Sequence, residues 1–578
     1  MTRPAAFAAV AFLSMGPWFA NAQNKPESRQ LVSLVDENVG LCIELREVSR
    51  QSKRFAKSEL FRRLEASTVV QSLLRGKQYR QLQKVTRDLK TSGTPVEQLL
   101  EGLFGDSVVL AVYPQKGRQP AGVLLTRARG RKSLDDALDL WDRLEPGSIT
   151  VPLKYDGKTY HRRRGGKSGH TLYYARLDEV FVLSDRDAMI HKVLRLQGGA
   201  KSSTDKPLAE SSRYLAARRS LAGDPVLTAF LNPRAWDDAM ASQRSKDAEL
   251  LLMFWKNCRW AMAGVRLDGG FALQAVLDYD GRAMPPAWQR YVRAASQKSD
   301  LFNRMPAAAL VAYAGRYDPA LLRSLLAGAR QQPRGSGLQQ ARAAAWAVAG
   351  FDIVKDLMPQ LRPAAGCFVV ARHDADENTP PFHGLIALAV AKPENGKAAV
   401  PRRDRLVRGL SDVLQFLTKL YNLTQIKKDA STPQFATVKS RRIATTRITW
   451  VDRVAGFQPG FALAPQYLLF ASSPDLIAGF LAQKDRLVDD ARFRDARARF
   501  FPDDNQVLYV NAARLRRHLT KHGRSMRKLL TRIGASPDDL PLKSAMDLLG
   551  VFDGAFLAAR ITESRIRITL GVTATPAK

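Results

Sequence analysis

The chain has 578 residues, 45% of them hydrophobic and 25% charged, ordinary values for a globular protein with room for two to four domains of roughly 100–200 residues each. They exclude a wholly disordered chain, a collagen-like chain and a disulfide-stapled miniprotein, and a chain this long buries a core in each domain without metals or bridges. Lys and Arg number 90 against 55 Asp and Glu, a formal charge of +35, which favours anionic partners.

The first 22 residues read as a secretory signal. Arg3 supplies the positive start, Ala5 to Leu13 form a short apolar run, and Ala20-Asn21-Ala22 matches the small-x-small pattern of a cleavage site. The run is too short for a permanent membrane helix, which needs about 20 apolar residues. No cysteine follows the site to carry a lipid, and no later window is apolar enough to span. The expectation is a soluble exported protein, periplasmic or extracellular, with no transmembrane segment in the mature chain. Cys42, Cys258 and Cys367 each sit in an apolar run and read as buried core residues. One bridge between two of them stays open in an oxidising compartment, without a choice of pair.

In chain order, a strand over Gly40 to Leu45 leads into a helix over Lys53 to Leu74. Strands follow at Ser107 to Val112 and Gly122 to Thr126, then a helix with Leu134, Ala137, Leu138 and Trp141 at helical spacing. Strands at Lys158 to Arg163, Thr171 to Arg176 and Val180 to Leu183 come next, then two helices and a strand. A hairpin closes the set, with alternating Ala261 to Leu267 and Phe271 to Asp278 around Asp268-Gly269-Gly270. The order then repeats. A strand at Ala309 to Tyr313 precedes a helix over Ala320 to Arg330, and strands fall at Cys367 to Ala371 and Gly384 to Val390. A helix carries Leu406, Leu410, Val413 and Leu414, and strands follow at Ile443 to Val451, Gly460 to Leu463 and Tyr467 to Phe470.

The residues repeat with the order. Leu208 to Met240 aligns without a gap on Leu487 to Leu519, pairing Tyr214 with Phe493, Ala217 with Ala496, Arg218 with Arg497, Phe230 with Tyr509 and Asn232 with Asn511. Val180 to Asp187 matches Leu468 to Asp475, and Ala261 to Arg266 matches Ala555 to Arg560, each displaced by close to half the chain. The change in displacement falls in the polar stretch Gly198 to Asp205, where an insertion costs little. Strands clustered between isolated helices argue for α+β with antiparallel pairing. The expected architecture is therefore two homologous halves, residues 23–300 and 301–578, each a mainly antiparallel curved sheet with helices packed on one side.

Several segments carry a resemblance. They are the opening Val39 to Leu45, the Gly-Asp-then-strand segment Leu103 to Ala111, the run Tyr174 to Asp185, and the helix Leu208 to Tyr214. In these the chain resembles a family of uncharacterised secreted bacterial proteins, abundant in planctomycetes and classed as a domain of unknown function. The resemblance implies secretion and assigns no reaction, so no catalytic residue follows from it. The second half departs from the pattern, with Ala364-Ala365-Gly366 in place of Gly-Asp.

No motif for chemistry survives its surroundings. His518 and His522 have the i, i+4 spacing of metal ligands, but Leu519 stands where a zinc protease has its general-base Glu, and the neighbouring arginines oppose a dication. The acidic turn His373 to Asn378 lacks the Gly and the closing Glu of a calcium loop. Gly165-Gly-Lys-Ser168 has His161 where a phosphate loop needs Gly, and a strand follows instead of a helix. Ser203 and Lys206 have a nucleophile's spacing inside a polar linker. The sequence names no catalytic residue, no cofactor, no metal and no nucleic-acid module.

Charge remains. Asn505 to Pro537 holds no acid, while Arg514, Arg516, Arg517, Lys521, Arg524, Arg527 and Lys528 are basic beside an apolar helical stripe. A second cluster, Arg162, Arg163 and Arg164, falls at a hairpin tip with Lys167 and two histidines. Both point to anionic envelope lipid or polysaccharide as partner. The expected function is non-catalytic binding at the cell envelope through these patches. The alternatives are a carrier of an apolar, lipid-like ligand in a sheet-helix groove and a periplasmic hydrolase whose site assembles from distant residues.

Overall fold

A computed structural model of the chain describes residues 30–574, apart from 76–101, 103, 105, 129, 166–168, 199–205, 242–248, 268–269, 321–346, 348–349, 351–352, 377–378, 393–398, 427–434, 453, 455–456 and 533–541. The signal segment lies outside the described residues, as do most of the helix expected over Ala320 to Arg330, Lys167 and the Ser203 linker. The chain forms two compact units, Met1–Met284 with Ser564–Lys578, and Pro285–Glu563.

The first unit opens on a 3-10 turn, Leu31–Leu34, then β1 (Leu41–Arg46) and helices α1 (Val48–Ala56), α2 (Glu59–Ala66) and α3 (Thr68–Leu74). It continues with β2 (Ser107–Gln115), β3 (Arg118–Arg127), α4 (Arg131–Leu144), β4 (Ile149–Tyr155), β5 (Lys158–Arg164), β6 (Thr171–Leu177) and β7 (Val180–Ser184). Helices α5 (Asp187–Gln197) and α6 (Ser212–Ser220), strand β8 (Leu227–Leu231), α7 (Asp237–Ala241), α8 (Glu249–Asn257), β9 (Cys258–Arg266) and β10 (Gly270–Tyr279) follow. The second unit holds α9 (Pro286–Ala295), β11 (Ala309–Gly315), β12 (Leu361–Ala371), β13 (Phe382–Val390), α10 (Ala399–Ile426), β14 (Thr437–Ile443), β15 (Thr446–Asp452), β16 (Gly460–Leu463) and β17 (Tyr467–Ala471). It ends with α11 (Pro474–Ala482), α12 (Ala491–Phe500), β18 (Gln506–Val510), α13 (Ala512–Lys521), α14 (Gly523–Arg532), α15 (Leu542–Val551) and β19 (Gly554–Ile561), and β20 (Arg565–Thr573) belongs to the first unit.

The fold is α+β, and every strand pairing within a unit is antiparallel. In the first unit the order across the sheet is β20-β10-β9-β8-β1-β2-β3-β7-β6-β5-β4. In the second it is β19-β18-β11-β12-β13-β17-β16-β15-β14. From β9 to β4 and from β19 to β14 the two orders are the same. Backbone details follow suit: Leu208 N–H donates to Val35 C=O as Leu487 N–H does to Met305 C=O, and the amides of Asn232 and Asn511 donate to Gly40 and Leu310.

Alternation decides what each face of a sheet meets. In the first unit Val109, Ala111, Val123, Leu125 and Val182 pack with the 3-10 turn and with Met189, Ile190, Val193 and Leu194 of α5 in one core. Tyr160 of β5 joins that face, its hydroxyl 3.0 Å from His191 of α5. One residue further along, His161 stacks on Tyr174 of β6, whose ring lies 5.9 Å from Trp141 of α4. Helices therefore cover both faces, where one side was expected. The second unit does the same: Tyr467 of β17 meets Phe480 of α11, while its neighbour Leu468 packs with Leu406 of α10.

Other departures have local causes. The helix expected over Lys53 to Leu74 is broken into three at Ser58 and Ser67, whose hydroxyls accept the amides of Phe61 (3.1 Å) and Val70 (3.3 Å) as caps. The strand expected over Ile443 to Val451 is a hairpin turning at Ala444, at φ 49°. Strand β4, not anticipated, is an edge strand with mostly exposed residues and Pro152 inside it, the position where proline is tolerated. Cys42, Cys258 and Cys367 are free thiols.

Candidate anion-binding site

The basic stretch after β18 folds into α13 and α14. The side chain of Asn511, buried, caps α13 by accepting the amide of Arg514 at 3.1 Å. Ala512, His518 and Leu519 face inward, and Arg516, Arg517 and Lys521 are exposed. In α14 Ser525 is buried while Arg524, Arg527 and Lys528 are exposed, three positions that share one helix face. No acid lies in the first turn of either helix. A cation such as Arg524 there opposes the helix dipole, so the start of α14 is a place where positive potential accumulates.

Two of the expected residues leave the surface. Arg514 is half-buried, donating to Ala307 C=O and to the Asp490 carboxylate at 3.3 Å. Arg163 is only 3% exposed, paired with Asp142 and, at 3.6 Å, with Glu145. Its guanidinium donates to Trp141 C=O at 3.2 Å and lies 4.6 Å over the Trp141 ring. Arg163 therefore ties β5 to α4 and cannot serve an external anion. Strand alternation is the reason: Arg162 and Arg164 point the other way and are exposed. The β5 pair belongs to the first unit and the α13–α14 cations to the second.

Of the histidines at i, i+4, one ring nitrogen is already engaged by the backbone. His518 Nε2 lies 2.5 Å from Pro381 C=O, and the His518 and His522 rings are 4.6 Å apart. Desolvation lowers the pKa of both, with Lys521 and His373 adding to it. Among the described residues no group of three or more His, Cys, Asp or Glu could hold a metal ion. What the cation pattern did not reveal is a depression of about 590 Å3 beside these residues, lined by Asp376, Thr520, Lys521, His522, Arg524 and Arg527 among others. Its traces in the sequence were the acidic turn His373 to Asn378, which holds Asp376, and the cations themselves, with no sign that the two segments meet.

A depression of about 760 Å3 in the first unit has a different character. Asp278, buried, is clamped by Arg259 at 2.6 Å and Arg565 at 3.3 Å. Burial pushes the Cys258 thiol up to about 11, which keeps it protonated at neutral pH and a poor nucleophile. Charge pairing there is internal. Among the described residues no helix is long and apolar enough to cross a membrane. Comparison of the chain with protein-family models, with curated proteins and with solved structures gives no match.

Proposed function

We propose that the protein is an exported, non-catalytic binding protein of the cell envelope that docks to anionic lipid or polysaccharide through the exposed cations of α13 and α14. The observation that carries the reading is that Arg516, Arg517, Lys521, Arg524, Arg527 and Lys528 stay exposed on two successive helices. Export rests on the amino-terminal pattern of Arg3, the apolar run and Ala20-Asn21-Ala22. The two units are copies of one ancestral module, a reading supported by their common strand order and the aligned residues.

Heparin and anionic vesicles test the docking. Retention of the mature protein falls steeply with added salt, since exposed charges are screened within about 8–10 Å at 0.1–0.15 M. The variant R516E/R517E/R527E/K528E elutes near the void at low salt. Equal retention of variant and wild type refutes the assignment.

A further inference from the structure

Helix α10 lies between β13 and β14 as α4 lies between β3 and β4, yet it runs for 28 residues against 14. Its first half is an ordinary core helix. Leu406 is buried with Leu468, Leu410 packs against the same cluster, and Arg403 donates to the carbonyls of Ala391, Ala464 and Pro465. The apolar stripe then continues at steps of three and four, from Leu406, Leu410 and Val413 to Leu417 and Leu420, but the core does not follow it. Phe416, Leu417, Leu420 and Leu423 are exposed, Leu417 by 53% and Leu423 by 58%. The inner side of the same turns is polar. Thr418 is 6% exposed, its hydroxyl donating to Leu414 C=O at 2.7 Å, and the Asn422 amide exchanges two hydrogen bonds with the backbone of Ala436, at 2.9 and 2.8 Å. This half of the helix turns apolar side chains to solvent and polar ones to the protein, the reverse of a surface helix.

Four large apolar side chains together on one face mark a surface that is covered in use. The surroundings fix the chemistry of the cover. Lys419 is exposed beside Phe416 and Leu423, and Arg442 is exposed on β14, the strand packed against α10. Lys427 and Lys428 follow the helix in the sequence, and no acid occurs from Val413 to Lys428, Asp412 being the nearest. The cover must therefore be apolar at its centre and anionic at its border. A second copy of the chain brings the same cations against their like. The leucine-rich stretch 321–346 carries four arginines and no acid, so it repels in the same way. An acidic polysaccharide pairs the cations and leaves the leucines in water. An anionic lipid surface satisfies both, its acyl chains receiving the apolar face and its headgroups the cations, with the lysine stem lying along the boundary. We propose that the face of α10 carrying Phe416, Leu417, Leu420 and Leu423 is a membrane-docking surface that lies in the plane of an anionic bilayer, its side chains sunk into the boundary between headgroups and acyl chains. The exposed turns are about 12 Å long, suited to lying in that layer. The inference rests on the docking reading in taking anionic envelope material as the partner, and deepens it by naming lipid and the segment that enters it.

The test cosediments the mature protein with vesicles of phosphatidylglycerol in phosphatidylcholine and with phosphatidylcholine alone, and follows amide exchange in the same samples. Binding to the anionic vesicles is expected, and part of it survives about 1 M salt, where charges are screened within about 3 Å and apolar insertion is not. Exchange slows across Val413 to Ile426 when vesicles are added. The variant L417Q/L420Q/L423Q changes exposed positions and keeps good helix formers. It binds anionic vesicles about tenfold or more weakly, the scale of three apolar side chains kept out of the boundary, and stays on heparin like the wild type. In the wild type, exchange across Val413 to Ile426 that vesicles leave unchanged overturns the insertion whether or not the variant folds. A dimer on a sizing column that the triple variant abolishes gives the face to a second copy and overturns it too. Heparin retention together with equal vesicle binding by wild type and triple variant defeats the insertion alone. Vesicle binding lost in the triple variant but unchanged in R516E/R517E/R527E/K528E defeats docking through α13 and α14 alone.

Discussion

Arg163 and His522 are two basic side chains withdrawn from solvent with opposite outcomes. Arg163 finds Asp142, Glu145 and a tryptophan face, whereas His522 is left with an unpaired nitrogen. Truncating Arg163 to Ala strands two carboxylates that are themselves partly solvated, so the loss is about 1–3 kcal/mol. Arg162→Ala and Arg164→Ala, both exposed, change stability by under about 0.5 kcal/mol. Urea midpoints for the three variants decide it; an Arg163→Ala midpoint equal to the other two would remove its tie to α4. The histidines set a pH dependence. Burial lowers the pKa of His161, His191, His383, His518 and His522 in the fold. Below the usual value of about 6.5 the unfolded chain takes up protons that the fold resists. Stability is thus full above that value and falls as pH drops through it toward the folded pKa values. Thermal unfolding at pH 7.5 and 5.0 checks this: a melting temperature unchanged between them contradicts the burial of these rings.

At the level of elements, strands with one buried face were the legible part of the sequence. The alternation of Ala261 to Leu267 and Phe271 to Asp278 reappears as β9 and β10 in register from Arg266–Ala272 to Trp260–Asp278. Strand β4 does alternate, with Ile149, Val151, Leu153 and Tyr155 on one face and Leu153 and Tyr155 packed against the core, but Pro152 inside the run argues against a strand. The β14–β15 turn was hidden because Ala444 occupies a conformation usually given to Gly or Asn. The helix pattern was correct in period and silent on its breaks, which depend on which serine hydroxyl reaches a backbone amide. The cations of α13 and α14 were readable as a run without acids. The pocket beside them was not, because Asp376 and His522 are far apart in sequence and meet only through folding. Gly270 offers a check on the sheet itself. A Cβ there would collide with the Val572 carbonyl oxygen of the opposing strand, so Gly270→Ala costs about 1–3 kcal/mol by forcing β10 and β20 apart. Amide exchange along β10 faster than in the wild type is the expected signature, and unchanged protection argues against the pairing.

At the scale of the molecule, a common strand order in two units makes the alignment of Leu208 to Met240 with Leu487 to Leu519 intelligible. The matched residues fall in corresponding elements, α6 and β8 in one unit and α12 and β18 in the other. The second unit in turn lies, in sequence, between β10 and its partner β20. That placement imposes a schedule. During synthesis β10 emerges early and waits through the whole of Pro285–Glu563 before Arg565–Thr573 arrives, exposing a strand edge that invites other chains. A chain ended at Glu563 keeps β10 in that waiting state permanently. It is expected to self-associate, and a synthetic peptide of residues 564–573 should return it to the monomer on a sizing column. Closure of the first sheet thus waits on Arg565–Thr573, a strand that the chain supplies only after the whole of the second unit.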